Sequence, residues 1–295
     1  MLPQQLYEDL KKLLTLQTGK PITDLTIQSV GGGSINQTYK LTFSNTHTCF
    51  CKINSAVAFP ELFLKEAHGL KAIRQTGAIN TPEVIVCTEQ GEHQILLLEW
   101  IESGNKTHGF FKKFGERLAC LHQHGVENFG WETANYMGSV PQQNHVQKRW
   151  VDFFIEQRLE PVAQKCLTKN VLPQNEYGLL KKVYERLPQF FDDAEKPSLL
   201  HGDLWSGNFM CNQAGEPVLI DPAVYYGHRA MDLAMTTLFG GFDAGFYESY
   251  QYHFPMPPNY KDQLPLCNLY PLLIHLLLFG QSYLTSIKQT LRNFL

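Results

Sequence analysis

The chain has 295 residues, of which 43% are hydrophobic, and a formal net charge of −3 at pH 7. This length suits one large domain or two lobes around a cleft, and the apolar fraction can fill sizeable cores. The slight acidity argues against nucleic acid as the main partner, because phosphate backbones favour basic surfaces. Without an internal repeat or a low-complexity tract, the solenoid and fibrous classes are also excluded.

The cysteines and the apolar segments predict a soluble, cytoplasmic protein with no membrane partner. The seven cysteines are odd in number and contain no C-x-x-C pair, which favours a reducing compartment. Cys49 and Cys51 face the same way on a predicted strand, either as a redox pair or, as we favour, as two small apolar residues. The charged, amphipathic residues 1–20 do not resemble a signal peptide, and the apolar window 272–280 is too short to span a bilayer.

The N-terminal third alternates in the pattern of a helix followed by an antiparallel sheet. Hydrophobic periodicity predicts a helix, three strands, a second helix and two more strands at 4–18, 25–30, 39–43, 48–53, 60–75, 81–87 and 94–98. We expect a compact five-stranded antiparallel sheet with one main helix.

Three glycines and a serine, Gly31, Gly32, Gly33 and Ser34, connect the first two predicted strands. Glycines let a backbone approach a ligand closely and point its N–H groups at phosphates. The alternative is a flexible hairpin tip, so this loop is a candidate nucleotide-binding element.

Lys52 lies on the third predicted strand, and Glu66 lies on the inward face of the following helix. An unpaired carboxylate there would be costly, and a lysine partner would relieve it. Protein kinases clamp ATP phosphates with a pair of this kind. The alternative is that Glu66 reaches water and Lys52 lies on the surface.

The apolar pattern breaks at residues 99–104, where we place a hinge between an N-terminal lobe, 1–98, and a helical C-terminal lobe, 105–295. The backbone of Glu99, Trp100 and Ile101 is the candidate adenine contact. Helical periodicity then predominates, around residues 110–121, 150–159, 179–187, 230–239 and 264–291.

The stretch His201-Gly202-Asp203-Leu204-Trp205-Ser206-Gly207-Asn208 has the spacing that a protein-kinase-like phosphotransferase needs. Asp203 can orient and deprotonate an acceptor hydroxyl, while Asn208 and Asp221 can hold Mg²⁺ against ATP phosphates. A predicted hairpin between them would return Asp221 to Asn208. An ordinary hairpin with polar loop ends is the alternative.

Two further polar groups lie outside this core. Asp232, in an apolar run, is either catalytic or, as we favour, a buried acceptor for backbone N–H groups of the catalytic loop, which would lower its pKa. His122 and His124 diverge on their helix, so we expect no metal there.

Short runs of residues along nearly the whole chain resemble the sequences of the fructosamine kinase (ketosamine-3-kinase) family. The matching runs are 129–131, 201–208, 221–229, 232–235, 238–242 and 278–280. This resemblance implies an α+β, two-lobed, protein-kinase-like fold. It also implies ATP- and Mg²⁺-dependent phosphorylation of the C3 hydroxyl of ketoamines, either small molecules or protein-bound, as the first step of deglycation.

Carried over to this chain, the resemblance makes Asp203 the base and Lys52 with Glu66 the phosphate clamp. Its substrate-side candidates are Trp205, His228 and His275, and its supports for the catalytic loop are His201 and Asp232. Three positions depart from the pattern of many or some relatives: Ser34, Ala230 and Ile274.

A choline, homoserine or aminoglycoside kinase on the same scaffold is the alternative within enzymes, although these lack the run 221–228. A nucleotide-binding pseudokinase that serves as a scaffold is disfavoured, because every phosphotransfer residue is present.

Overall fold

A twisted antiparallel sheet forms the first part of the computed structural model, which describes residues 3–31, 35–44, 47–192 and 194–295. Its strands are β1 Leu25–Ser29, β2 Gln37–Phe43, β3 His47–Ser55, β4 Val84–Gln90 and β5 His93–Glu99. Their order in the sheet is β1-β2-β3-β5-β4, so β5 pairs with β3 and β4 forms the edge. The predicted five-stranded sheet is confirmed.

The two faces of β3 have different partners because successive side chains point to opposite sides of a sheet. Cys49, Cys51 and Ile53 pack into a core beneath helix α1, Gln4–Thr18. Lys52 points to the other face, toward the cleft. Both cysteines are buried free thiols, and burial raises the pKa of Cys49 to about 12. The structure therefore places them as apolar core residues.

Helix α2, Leu62–Gln75, covers the cleft side of the sheet and touches the segment that follows Asp221. A Cβ added at Gly69 would lie 3.1 Å from Val224 and 3.3 Å from Pro222. The small residue lets the helix approach that segment closely, which holds Glu66 over the cleft.

The rest of the chain is mainly helical and has one large apolar core. Its helices are α3 Phe110–His122, α4 Trp150–Phe153, α5 Glu160–Thr168, α6 Gln174–Arg186, α7 Ala230–Leu238, α8 Ala244–His253, α9 Tyr260–Phe279 and α10 Leu284–Asn293. A π-helical turn, Phe154–Leu159, joins α4 to α5, where the sequence predicted one continuous helix.

Short strand pairs shape the floor of the cleft. They are β6 Asn135–Met137 with β7 Val140–Gln142, β8 Ser198–Leu200 with β11 Tyr225–Gly227, and β9 Phe209–Cys211 with β10 Pro217–Leu219. The β9–β10 hairpin was predicted from the sequence. The β6–β7 hairpin was not.

Helix α9 is the core helix of this part, and it is longer than the apolar window that the sequence suggested. By length and composition it could cross a membrane, but 61% of its apolar stretch is buried inside the protein. It also contains Pro265 and Pro271. Its partners are α5, α7 and α10, so its apolar surface is used in packing.

Candidate active site

Two neighbouring cavities lie between the sheet and the helical part, and they meet at the same charged residues. The larger has a volume of about 690 Å³ and the smaller about 250 Å³. Asn36, Lys52 and Asp221 line both. Asp203 lines only the larger one. The charged residues therefore lie at the junction of two binding spaces.

Lys52 is the central cation of this junction. Its Nζ lies 2.6 Å from Glu66 Oε1 and 2.6 Å from Asp221 Oδ1. The predicted contact between Lys52 and Glu66 is present, and the second carboxylate, 169 residues away in sequence, joins it. With both carboxylates ionised, the cluster carries one negative charge in excess.

The protonation of the cluster follows from burial and from its own charges. Burial alone would lower the pKa of Lys52, but Asp221 and Glu66 outweigh it, and the pKa is raised above its ordinary value. Burial raises the pKa of Glu66, against the attraction of Lys52. The lysine is thus a permanent cation. Of its two partners, the Glu66 side chain is only 10% exposed, whereas the Asp221 side chain is 42% exposed.

The loop 201–208 joins β8 to β9, and the β9–β10 hairpin returns the chain to it. Phe209 pairs with Leu219, and Ile220 N donates to Asn208 O at 3.1 Å. This hairpin brings Asp221 beside Asn208. Gly202 has φ +84°, and a Cβ there would meet Ala223 O at 2.1 Å, so only glycine fits.

Asp203 accepts a hydrogen bond from Asn208 Nδ2, at 3.0 Å to Oδ2. Burial raises the pKa of Asp203 to about 7; the Asn208 hydrogen bond opposes this shift, and the negative charges of Asp221 and Asp232 add to it. A carboxylate with a pKa near neutrality can take up a proton during a reaction and return it afterwards.

Asp232 lies under the same loop and is fully engaged. Its Oδ2 accepts from His201 N at 2.7 Å, and its Oδ1 accepts from Gly202 N at 2.9 Å. His122 Nε2 is 3.1 Å from Oδ2, and Tyr250 holds the other ring nitrogen of His122 at 2.8 Å. Burial alone would raise the pKa of Asp232, but these hydrogen bonds and the neighbouring histidines lower it.

His122 is a loop-supporting residue that sequence reasoning missed. We considered it only as a metal ligand, and its position on the buried face of α3 was the available signal. His201 also supports the loop: its Nε2 lies 2.9 Å from Ile220 O, and Asp203 N donates to its Nδ1 at 3.2 Å.

Asn208 and Asp221 form a donor set that fits Mg²⁺. Asn208 uses its Nδ2 for Asp203, which leaves its side-chain oxygen to accept, and Asp221 contributes a carboxylate beside the excess negative charge. Mg²⁺ is commonly bound by one or two carboxylates together with substrate phosphates rather than by an all-protein cage. Among the described residues there is no cluster of three or more His, Cys, Asp or Glu side chains that could hold a metal ion.

Apolar side chains from both parts of the protein line the smaller cavity. Phe50 and Leu98 line it from the sheet, and Met210 and Ile220 line it from the helical part. The predicted contact residues Glu99, Trp100 and Ile101 line it together with Gly31. Gly32, Gly33 and Ser34 lie outside the described residues.

The larger cavity contains two of the three predicted substrate-side residues. Trp205 and His275 line it, with Phe239 between them at ring-centroid distances of 6.0 and 4.9 Å. Phe279 and Tyr283 extend this aromatic wall and were not predicted.

The structure does not place His228 on the substrate side, where the resemblance predicted it. It is buried against Trp150 and Phe191, and neither cavity is lined by it. Its Nδ1 accepts from Ala230 N at 3.2 Å, because the side chain turns back into the core at the start of α7. It therefore belongs to the packing beneath the loop.

The five-stranded sheet and the helical part form the protein-kinase-like fold of a phosphotransferase. The model of the fructosamine kinase family matches residues 6–295. The chain belongs to this family.

Individual relatives agree with this placement. A probable ketoamine kinase from Synechocystis is 38% identical over 97% of this chain and 96% of its own length. Mouse ketosamine-3-kinase is 32% identical over 89% of this chain and 93% of its own. A crystal structure from Haemophilus somnus, assigned to the fructosamine-3-kinases, has a TM-score of 0.89 at 27% identity and covers 98% of this chain and 97% of that one. The chain is thus similar in sequence and fold to ketoamine kinases.

Proposed function

We propose that this ketoamine kinase transfers the γ-phosphoryl group of ATP to the C3 hydroxyl of a ketoamine, with Asp203 as the base. The observation that carries the proposal is the position of Asp203. It lines the larger cavity and lies 3.0 Å from Asn208, whose backbone oxygen accepts from the residue before Asp221. We further propose that residues 1–98 and 105–295 act as two lobes joined by a hinge at 99–104, in a cytoplasmic enzyme.

In the proposed reaction, the smaller cavity binds the adenine, and the phosphates extend toward Lys52. Lys52, oriented by Glu66, neutralises phosphate charge. Asn208 and Asp221 would hold Mg²⁺, which supplies charge neutralisation at the transferred group. The ketoamine lies in the larger cavity against Trp205 and His275.

The chemical step needs no further group. The acceptor oxygen forms a bond to the γ-phosphorus as the bond to the bridging oxygen of ADP breaks. Asp203 takes the hydroxyl proton and later releases it to water. A pKa near 7 makes this carboxylate suitable for both tasks.

The product should start the repair of a glycated amine without further catalysis. A phosphate at C3 lies beside the C2 carbonyl, so enolisation toward C1 allows it to leave by elimination. Water then hydrolyses the resulting imine, and the amine, inorganic phosphate and a 3-deoxy dicarbonyl sugar separate.

A panel assay with Mg-ATP tests the proposal. Fructosamines and ribulosamines of lysine should be phosphorylated, whereas choline, homoserine and an aminoglycoside should not. Phosphorus NMR should place the ester at C3, and amine release should continue after the enzyme is removed. An ester at C6, or one stable for days at neutral pH, would contradict the C3 assignment and leave the fold and the kinase class intact.

A further inference from the structure

A network of buried polar side chains lies under the floor of the cleft, next to the segment that follows Asp221. Asn135, at the start of β6, donates Nδ2 to Val224 O at 2.7 Å. Gln142, at the end of β7, donates Nε2 to Ala223 O at 3.3 Å and to Asn135 Oδ1 at 2.8 Å. Side chains of the β6–β7 hairpin thus donate hydrogen bonds to two successive carbonyls, which lie two and three residues after Asp221.

A second layer orients these two amides. Asn144 Nδ2 donates to Asn135 Oδ1 at 3.2 Å, and Asn144 Oδ1 accepts from Arg158 Nη2 at 2.6 Å. The Tyr270 hydroxyl donates to Gln142 Oε1 at 2.8 Å. Because their oxygens are engaged from below, both amides are held with their N–H groups toward the segment after Asp221.

Arg158 makes this layer unusual. It is fully buried, and no carboxylate in the described part of the chain forms an ion pair with it. Among the described residues, its guanidinium donates to the neutral oxygens of Gln143, Gln157 and Asn144, and it lies 4.0 Å from the centroid of the Tyr225 ring. Burying a charge without an ion-pair partner is costly, so stability alone does not explain the position of Arg158. It also lies in the π-helical turn, a rare conformation that is frequent at functional sites.

Asp221 itself needs support. It has φ +56°, a left-handed conformation that is unfavourable for a residue with a side chain. Such a conformation persists only where the surrounding structure imposes it. On one side Ala223 N donates to His201 O at 2.8 Å. On the other side, the amides of the β6–β7 hairpin hold the next two carbonyls.

We propose that Asn135 and Gln142 are positioning residues, which hold the chain after Asp221 and so fix that carboxylate for metal binding. The inference rests on the proposed Mg²⁺ site. Asn135 also lines the larger cavity beside Pro222 and Ala223, so the same amide connects the substrate space to the metal-binding segment.

Metal binding measured directly tests this role. We would titrate Mn²⁺ into the protein with a non-hydrolysable ATP analogue and follow free Mn²⁺ by electron paramagnetic resonance. In Asn135→Ala and Gln142→Met the Mn²⁺ dissociation constant should rise about tenfold or more, the usual cost of losing an outer-layer partner. The affinity for the analogue without metal should stay the same, and a high metal concentration should restore much of kcat.

A matched control is Asn268→Ala, which removes another buried amide. Asn268 Nδ2 donates to Thr237 Oγ1 at 3.2 Å, in the contact between α9 and α7. This variant should bind Mn²⁺ as the wild type does, whatever its melting temperature.

The results below would contradict the positioning role or, separately, the metal site. Mn²⁺ constants within twofold of wild type in the network variants, or an equal weakening in Asn268→Ala, would overturn the positioning role. If Asn135→Ala does not fold, Gln142→Met decides alone, since it nearly conserves side-chain volume. Asp221→Asn in the same assay tests the metal site itself: unchanged binding there would refute that assignment independently of the network.

Discussion

Asp203, in the loop 201–208, and Asp232, on α7 beneath that loop, are two carboxylates whose pKa values move in opposite directions. Asp232 accepts two backbone N–H groups and contacts His122, and its pKa is lowered. Among the described residues, Asp203 has one side-chain hydrogen-bond partner, Asn208, and burial raises its pKa to about 7.

The difference shows that burial alone does not decide the role of a carboxylate. Burial opposes ionisation in both cases, but enough donors reverse its effect at Asp232. A fully engaged carboxylate fixes the backbone around it, and one with few donors remains able to exchange a proton. The predictions below test whether the two residues divide the work in this way.

The largest expected effect is on turnover. Asp203→Asn should lower kcat by about 10²–10⁴-fold, the usual contribution of a general base. The affinity for a non-hydrolysable ATP analogue should change little, because Asp203 does not line the smaller cavity. Steady-state kinetics and calorimetric titration measure the two quantities. A variant that kept more than half of wild-type kcat would show that Asp203 is not the base.

The clamp beside Asp203 should act as one unit. Lys52→Met and Glu66→Gln should each reduce kcat/KM, and the double variant should lose less than the product of the two, because either change removes the same ion pair. Contacting charged residues typically couple by about 0.5–3 kcal/mol. A double-mutant cycle measures this energy. Losses that simply multiply would mean that the two side chains act independently.

Asp232→Asn should mainly lower the free energy of unfolding and should have a smaller effect on kcat. The amide replaces one acceptor oxygen by a donor, so either His201 N or Gly202 N loses its partner, at a cost of about 1–3 kcal/mol. Urea unfolding measures the loss. The control is Asp152→Asn, a half-exposed carboxylate on α4, which should change stability by less than about 0.5 kcal/mol. Equal losses in both variants would show that the hydrogen bonds of Asp232 do not stabilise the protein.

The parts of the site that depend on local spacing were predictable from the sequence. The lysine on β3, the glutamate one helix later and the Asp203–Asn208 pair lie within short stretches whose periodicity fixes their faces. The hairpin between Asn208 and Asp221 was equally readable, because its turn residues and apolar strands are contiguous.

Long-range and orientational features could not be predicted in this way. Asp232 is 110 residues from His122, so no local pattern joins them. The side chain of His228 lies in a motif near the cleft, but a motif does not specify which way a loop residue points. The π-helical turn around Arg158 left no signal, because a single inserted residue hardly alters hydrophobic periodicity.

The smallest expected effect is a gain in stability, whereas most mutations destabilise a protein. The folded-state pKa of Asp203, about 7, lies above the unfolded value near 4, so the fold disfavours the ionised form. Wild-type stability should therefore fall as the pH rises from about 4 to about 7, and the full cost is present above pH 7. Asp203→Asn has no charge to bury and should escape this loss. At pH 8 the variant should melt about 2–4 °C higher than the wild type, which corresponds to about 1 kcal/mol for a chain of this size, and the difference should shrink at pH 5. Differential scanning calorimetry at the two pH values measures it, with Asp232→Asn as the comparison that should be destabilised at pH 8. A melting temperature for Asp203→Asn that is lower than wild type, or a difference independent of pH, would show that Asp203 is as well supplied with donors as Asp232.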